Sequence, residues 1–169
     1  MPTAINVTTR FIHSETAKVY WVGSITDVNS PTRSELEFSG VGPAGAWDLT
    51  GEIADMTGWE VSANRVPVPD LGSKLTSKIA GRVETGDAQI TFYSDTTTND
   101  IRKVLTRGDR GFIVIMDGGD VTGQTMDVHP VDIVSVSKPI SVGDDPAQVV
   151  VDFGISDLSG EDVVIPAQL

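Results

Sequence analysis

The chain has 169 residues, a length that suits one domain with a real hydrophobic core. Its 39% hydrophobic and 21% charged residues exclude a disordered or membrane-embedded composition, and the lack of cysteine excludes disulfides, thiolate metal sites and cysteine nucleophiles. Net charge is −12, and residues 111–169 carry ten acids against the single base Lys138, so this stretch has little with which to grip a phosphate backbone.

Residues 1–11, MPTAINVTTRF, lack the basic and apolar regions of a secretory leader, so folding in a cytoplasm is expected, with residues 1–17 as an N-terminal arm. The run KVYWV from Lys18 to Val22 is rich in β-formers. Residues 39–57 are rich in Gly and Ala without a steady period and read as a long loop or hairpin. From Trp59 to Val66, Trp59, Val61 and Ala63 alternate with Glu60, Ser62 and Asn64, the pattern of a half-buried strand, and residues 65–77 read as extended and proline-punctuated. Alternation returns at Ala88, Ile90 and Phe92.

The run 97–107 departs from the β pattern. Ile101, Val104 and Leu105 have helical spacing, Thr97 or Thr98 can cap, and Gly108 stands where a helix ends, which predicts a helix longer than two turns packed through those three apolar side chains. The run FIVIM, Phe112 to Met116, is apolar on both faces and suits a central strand covered on each side. Residues 128–136 continue the β character, with Pro130 suggesting an edge or a bulge. Val149, Val151, Phe153 and Ile155 share one face opposite Gln148 and Asp152. The expected fold is mainly β, a single-domain β-sandwich or open barrel over residues 1–169 with one flanking short α-helix.

Motifs of chemistry are weak. Gly40, Gly42 and Gly45 fit G-x-G-x-x-G, but Pro43 interrupts the motif and no helix follows, so no dinucleotide cofactor is expected. His129 lies near Asp127 and Asp132, yet one histidine with scattered carboxylates is no ligand set, and a packing or surface role is the expectation. The Asp117-Gly118-Gly119-Asp120 and Gly143-Asp144-Asp145 stretches lack calcium-loop spacing and read as turns. Neither a catalytic, a cofactor nor a metal site is expected.

Taken in order, several segments carry a resemblance. They are Gly58-Trp59-Glu60-Val61, Val66-Pro67-Val68-Pro69-Asp70-Leu71-Gly72, the run from Ala88 to Asp95, the run from Asp100 to Leu105, and Gly111 to Asp117. Met126 to Val131, Ala147 to Ile155 and Val163-Val164-Ile165-Pro166-Ala167 complete them. Together they resemble the tail-tube (major tail) proteins of long-tailed, non-contractile bacteriophages. The resemblance implies a non-enzymatic subunit that closes into hexameric rings, stacked as a conduit for DNA delivery. The implied partners are further copies of itself, a tape-measure protein, tail terminator and tail-tip proteins, and genomic DNA passing through the lumen without specific binding. No membrane or cofactor is implied, and the implied location is the virion tail, assembled in the bacterial host cytoplasm. A tube subunit of a contractile tail or injection machine is the nearest alternative, and a β-sandwich binding module is a further one. Strand alternation makes Asp132 and Asp152 candidate lumen-facing acids.

Overall fold

A computed structural model describes residues 12–37, 42–72, 74–95, 100–140 and 142–168. In chain order the elements are α1 (His13–Thr16), β1 (Lys18–Val22), α2 (Arg33–Leu36), β2 (Ala46–Asp48), β3 (Ile53–Thr57), β4 (Val61–Val68), β5 (Ser77–Thr85), β6 (Ala88–Tyr93), α3 (Ile101–Val104), β7 (Arg110–Met116), β8 (Thr125–Ser137), β9 (Gln148–Ile155) and β10 (Gly160–Val164). The fold is mainly β. One antiparallel sheet runs β2-β1-β7-β8-β9-β6-β3 with β10 added to β8, and β4 pairs only with β5.

The sheet folds over itself as a sandwich and encloses two cores. Val19, Trp21, Ile113, Val131 and Ile133 on one half face Ile90, Phe92, Val149, Val151 and Phe153 on the other. The opposite face of β1, β7 and β8 gives Val22, Val114, Met116, Met126 and Val128 to a second cluster, closed by Leu36 of α2, Val163 and Ile165. The central strand β7 is thus buried on both faces, the arrangement that its unbroken apolar run requires. Side chains at Ala88, Ile90 and Phe92, and at Val149, Val151 and Phe153, point inward as their alternation predicts, while Ile155 is only partly buried.

Pro130 lies inside β8, paired with Phe112 of β7, and not at an edge. Residues 125–128 of β8 pair with β10 and residues 131–137 with β9, so the lateral partner changes at Pro130. The Ser156 N–H donates to the Pro130 carbonyl at 3.0 Å. In an antiparallel strand the N–H and C=O of one residue point to the same side, so the missing donor of Pro130 faces the gap between β9 and β10. The bulge falls a few residues on, between Ile133 and Ser135.

Two stretches differ from expectation. The helix expected over 97–107 is a single turn: Asp100 caps it by accepting from the Arg102 N–H at 3.2 Å, and Leu105 is already extended. Residues 96–99, with Thr97 and Thr98, lie outside the described residues. The chain is drawn off the helix because the Gly108 N–H donates to Ile133 O and the Ile133 N–H to Asp109 O, both at 2.9 Å. Those bonds to β8 outweigh a modest helical preference. Ile101, Val104 and Leu105 are nonetheless all buried in the first core. The loop expected over 39–57 holds, from residue 42 onward, β2 and β3, which are the two ends of the sheet path. The turn at Gly42–Ala44 is fastened by two indoles, Trp21 Nε1 to Pro43 O and Trp47 Nε1 to Gly42 O, each at 2.8 Å. Of the expected arm over 1–17, residues 1–11 lie outside the described residues, and α1 occupies 13–16.

Leu105 is 1% exposed, so Leu105→Ala should lower unfolding free energy by about 2–5 kcal/mol through a cavity. Chemical denaturation measures it.

Candidate functional site

The polar groups singled out by sequence do not converge. His129 is 3% exposed; its Nδ1 lies 2.8 Å from Ser159 Oγ and its ring packs on Trp59 at 5.4 Å. Burial pushes the imidazole below its ordinary value, so it is neutral at pH 7 and acts as a packing group. Among the described residues, no group of three or more His, Asp or Glu could hold a metal ion. The stretch read from sequence as a turn is one, with the Gly119 N–H on Met116 O at 3.1 Å, and Asp120 at its end also anchors α2. It receives both guanidinium nitrogens of the buried Arg33, at 2.5 and 2.7 Å, and the Tyr20 hydroxyl at 3.2 Å. Arg33 also donates to Glu37 at 2.6 Å. Burial first, and then the charge of Asp120, push the Tyr20 hydroxyl up to about 12. Asp120 is held below its usual range by the Arg33 hydrogen bond. Nothing here is reactive. The cluster is a fastening.

Two surfaces stand out among the described residues. The first is the outward face of β8, β9, β6 and β3. Register places Asp55 and Thr57 beside Thr91 and Gln89, and these beside Val150 and Asp152, with Ser135 and Ser137 completing the row. Apart from Val150 these side chains carry an amide, hydroxyls and carboxylates, and no Lys or Arg stands among them. Asp152 is at its centre: Gln89 Nε2 donates to it at 2.7 Å and the Ser135 hydroxyl donates to its other oxygen. Those two hydrogen bonds, the one from Gln89 first, hold its carboxyl below the ordinary range and keep it ionised. Asp132 lies on the same face, level with Gly154, but its charge is met by Arg110 at 3.2 Å. The structure thus brings the two sequence candidates onto one surface with different electrostatic surroundings.

The second surface is the β4–β5 hairpin. It leaves the sheet where β3 ends and β6 begins, and every side chain from Ser62 to Val68 is exposed. The alternation that suggested a half-buried strand is present, but among the described residues no core lies beneath it. Trp59, at the base, does pack inward on Phe153 at 5.6 Å. Val66 pairs with Ile79, and both are exposed, as are Val68, Leu71, Leu75 and Val83. An isolated two-stranded ribbon wet on both sides is marginal in water. The neck is narrow: Gly58 has φ +77°, and a Cβ there would meet Asp87 O at 2.0 Å. The strand β5 had no reading in the sequence: Ile79 and Val83 do alternate with Lys78, Arg82 and Glu84, but Gly81 between them interrupts the apolar side. The available signal was charge: residues 61–85 hold four bases against two acids in a chain of net −12.

The sequence model of the family described as Phage tail tube protein matches residues 5–168, and the chain belongs to that family. No curated protein matches it. No helix among the described residues is long and apolar enough to cross a membrane.

Gly58→Ala should cost roughly 1–3 kcal/mol through left-handed strain and more through the clash. Gly123→Ala, at φ +86° with nothing within 4 Å, should cost only the strain; equal losses in thermal unfolding would show that the neck is not tight. Acid should loosen the α2 region. The Thr26 hydroxyl and then the Thr32 N–H lower Glu35 from 4.5 to about 2. With the folded value below the unfolded one, this contribution is complete above about pH 4.5 and is lost as pH falls toward 2. Glu35→Gln should flatten that limb of an acid titration.

Proposed function

We propose that six copies of this tail-tube subunit close into a ring, that rings stack into the tube, and that the outward face of β8, β9, β6 and β3 lines the channel for genomic DNA. The observation that carries this reading is a four-strand face whose polar side chains are neutral or acidic, set among Val134 and Val150, with no Lys or Arg on its own strands and Arg110 of the adjoining β7 paired to Asp132. Protein–DNA affinity comes largely from bases displacing counterions, so a duplex meets little to hold it on such a surface. Four strands from each of six copies, ~4.8 Å apart and tilted ~40°, close at a backbone diameter of roughly 48 Å. About 5 Å of side chain on either wall still leaves room for a B-form duplex.

In this reading the subunit is a scaffold and not an enzyme. Asp152 contributes a fixed negative charge to the wall, whereas Asp132 contributes a neutralised pair with Arg110. A tape-measure protein fills the channel before DNA does, and terminator and tip proteins close the two ends of the tube in the virion tail, which is assembled in the host cytoplasm.

Negative-stain microscopy of the purified chain tests assembly: rings or tubes are expected, and a monomer at every concentration would overturn the reading. The lining is tested with Thr91→Lys and Gln148→Lys, outward positions outside the cores. Phage carrying both should build normal tails but eject DNA more slowly at low salt, with recovery as salt rises. Unchanged ejection would place this face elsewhere than the channel.

A further inference from the structure

Among the described residues Arg33, Asp100 and His129 are polar side chains that are buried. Arg33 is met by Asp120 and Asp100 by Arg102, charge against charge. The His129 ring is met by neutral groups instead. Ser159 Oγ lies 2.8 Å from its Nδ1, Trp59 tilts against it at 5.4 Å, and Ile113 of β7 stands opposite it in the sheet. The charge that acts on the ring is that of Asp127, two residues back along β8, and this carboxylate already accepts the Asp162 N–H at 2.9 Å. The segments around the ring also carry Glu60, Asp87, Asp157 and Glu161, all exposed.

Two pieces of chain cover the ring, and both are lightly held. The loop between β9 and β10 has Ser156, Asp157 and Leu158 exposed, and it is tied to β8 by the Ser156 N–H on Pro130 O at 3.0 Å and by Ser159 itself. Trp59, at the hairpin base, is only partly buried, and its indole N–H reaches Gln89 O at 3.4 Å. The Gly86 N–H bonds to Glu60 O at 3.1 Å across the hairpin neck. Between the hairpin base and the loop lies a depression of about 490 Å³, bordered by Val61, Val83, Thr85 and residues 155–159. Ser159 lines it, so one side chain separates this depression from the imidazole.

We propose that His129 is a proton-operated latch: on taking up a proton the ring releases Ser159 and Trp59, and the β9–β10 loop and the hairpin neck open toward the depression while both cores stay closed. A buried cation here has one hydroxyl in place of its hydration shell, and parting the cover restores water to it. The strand beneath does not follow, because β8 is paired with β7 from Asp127 to Asp132. Burial lowers the imidazole from 6.5, with Asp127 opposing in part. The folded value is therefore below the unfolded one. The contribution of the latch is complete above about pH 6.5 and is lost as pH falls toward the value at which the folded ring is protonated. The device belongs to the single subunit and stands apart from the proposed tube.

Amide hydrogen exchange at about pH 7.5 and about pH 5, corrected for the intrinsic effect of pH, tests it. Protection at residues 58–60 and 156–160 should fall about tenfold at the lower pH, while residues 88–93 and 112–116 keep theirs. His129→Phe retains a ring against Trp59 but never charges, and it should abolish the response. His13→Asn, which removes the other histidine, should leave the response as it is. Equal protection of the wild type at both pH values, a response that survives His129→Phe, or a loss spread evenly through the cores overturns the latch. Should circular dichroism show the Phe variant unfolded, proton NMR of the wild type decides. Titration of the His129 ring in step with the loss of protection upholds the latch, and titration without that loss overturns it.

Discussion

The structure depends on the way β8 divides its edges. One side of this thirteen-residue strand is taken by β7, while the other is shared in succession by β10 and β9. Where a strand changes partners part-way a backbone N–H is easily left unsatisfied; Pro130 has none to leave, and its carbonyl is met by the Ser156 N–H. From that point the sheet turns, the bulge at Ile133 and Ser135 increases the bend, and the two halves close over the first core. The second core lies on the other face of the same strand, with Met126 and Val128 against Val163 and Ile165.

The parts legible in the sequence are those whose environment repeats along the chain. Ile90 and Phe92, or Val151 and Phe153, sit over a core at every second residue, so their period reports their burial. The doubly apolar run Phe112 to Met116 reports two covered faces in the same way. A short helix was also legible as apolar spacing at Ile101, Val104 and Leu105, but its length was not. The bonds that end it come from Ile133, about thirty residues on. Edge strands of three and five residues at 46–48 and 53–57 are too short to show a period. The fastening of α2 was half legible. Thr32 and Glu35 form a capping box with the required spacing, while the Arg33–Asp120 pair joins residues 87 apart and leaves no local trace.

The functional surfaces fall on the same divide. Asp132 and Asp152 could be placed on an outward face from alternation, and register does put both there. Only the fold shows that one is paired with Arg110 and the other held by Gln89 and Ser135. The hairpin was the harder case, because Trp59, Val61 and Ala63 carry the alternation of a buried strand. In a monomer that pattern implies a core beneath. Here the same pattern runs along a two-stranded ribbon with exposed side chains, so its period alone does not report burial.

Charge placement then separates two demands that conflict on one surface. In the proposed tube a channel wall must not hold a polyanion, whereas contacts between subunits of net charge −12 must overcome mutual repulsion. Moving bases onto the wall would help the second demand and defeat the first. The β4–β5 ribbon holds four of the chain's twelve bases in a sheet separate from the four-strand face, so their charge does not lie on those strands. The cost is a hairpin with exposed Val66, Ile79 and Leu71, an edge open to wrong partners before assembly. The same positive charge limits that hazard, because two hairpins repel each other while hairpin and body attract. Hairpin-to-hairpin pairing, which would end growth at a closed dimer, is thereby disfavoured, as the proposed ring requires.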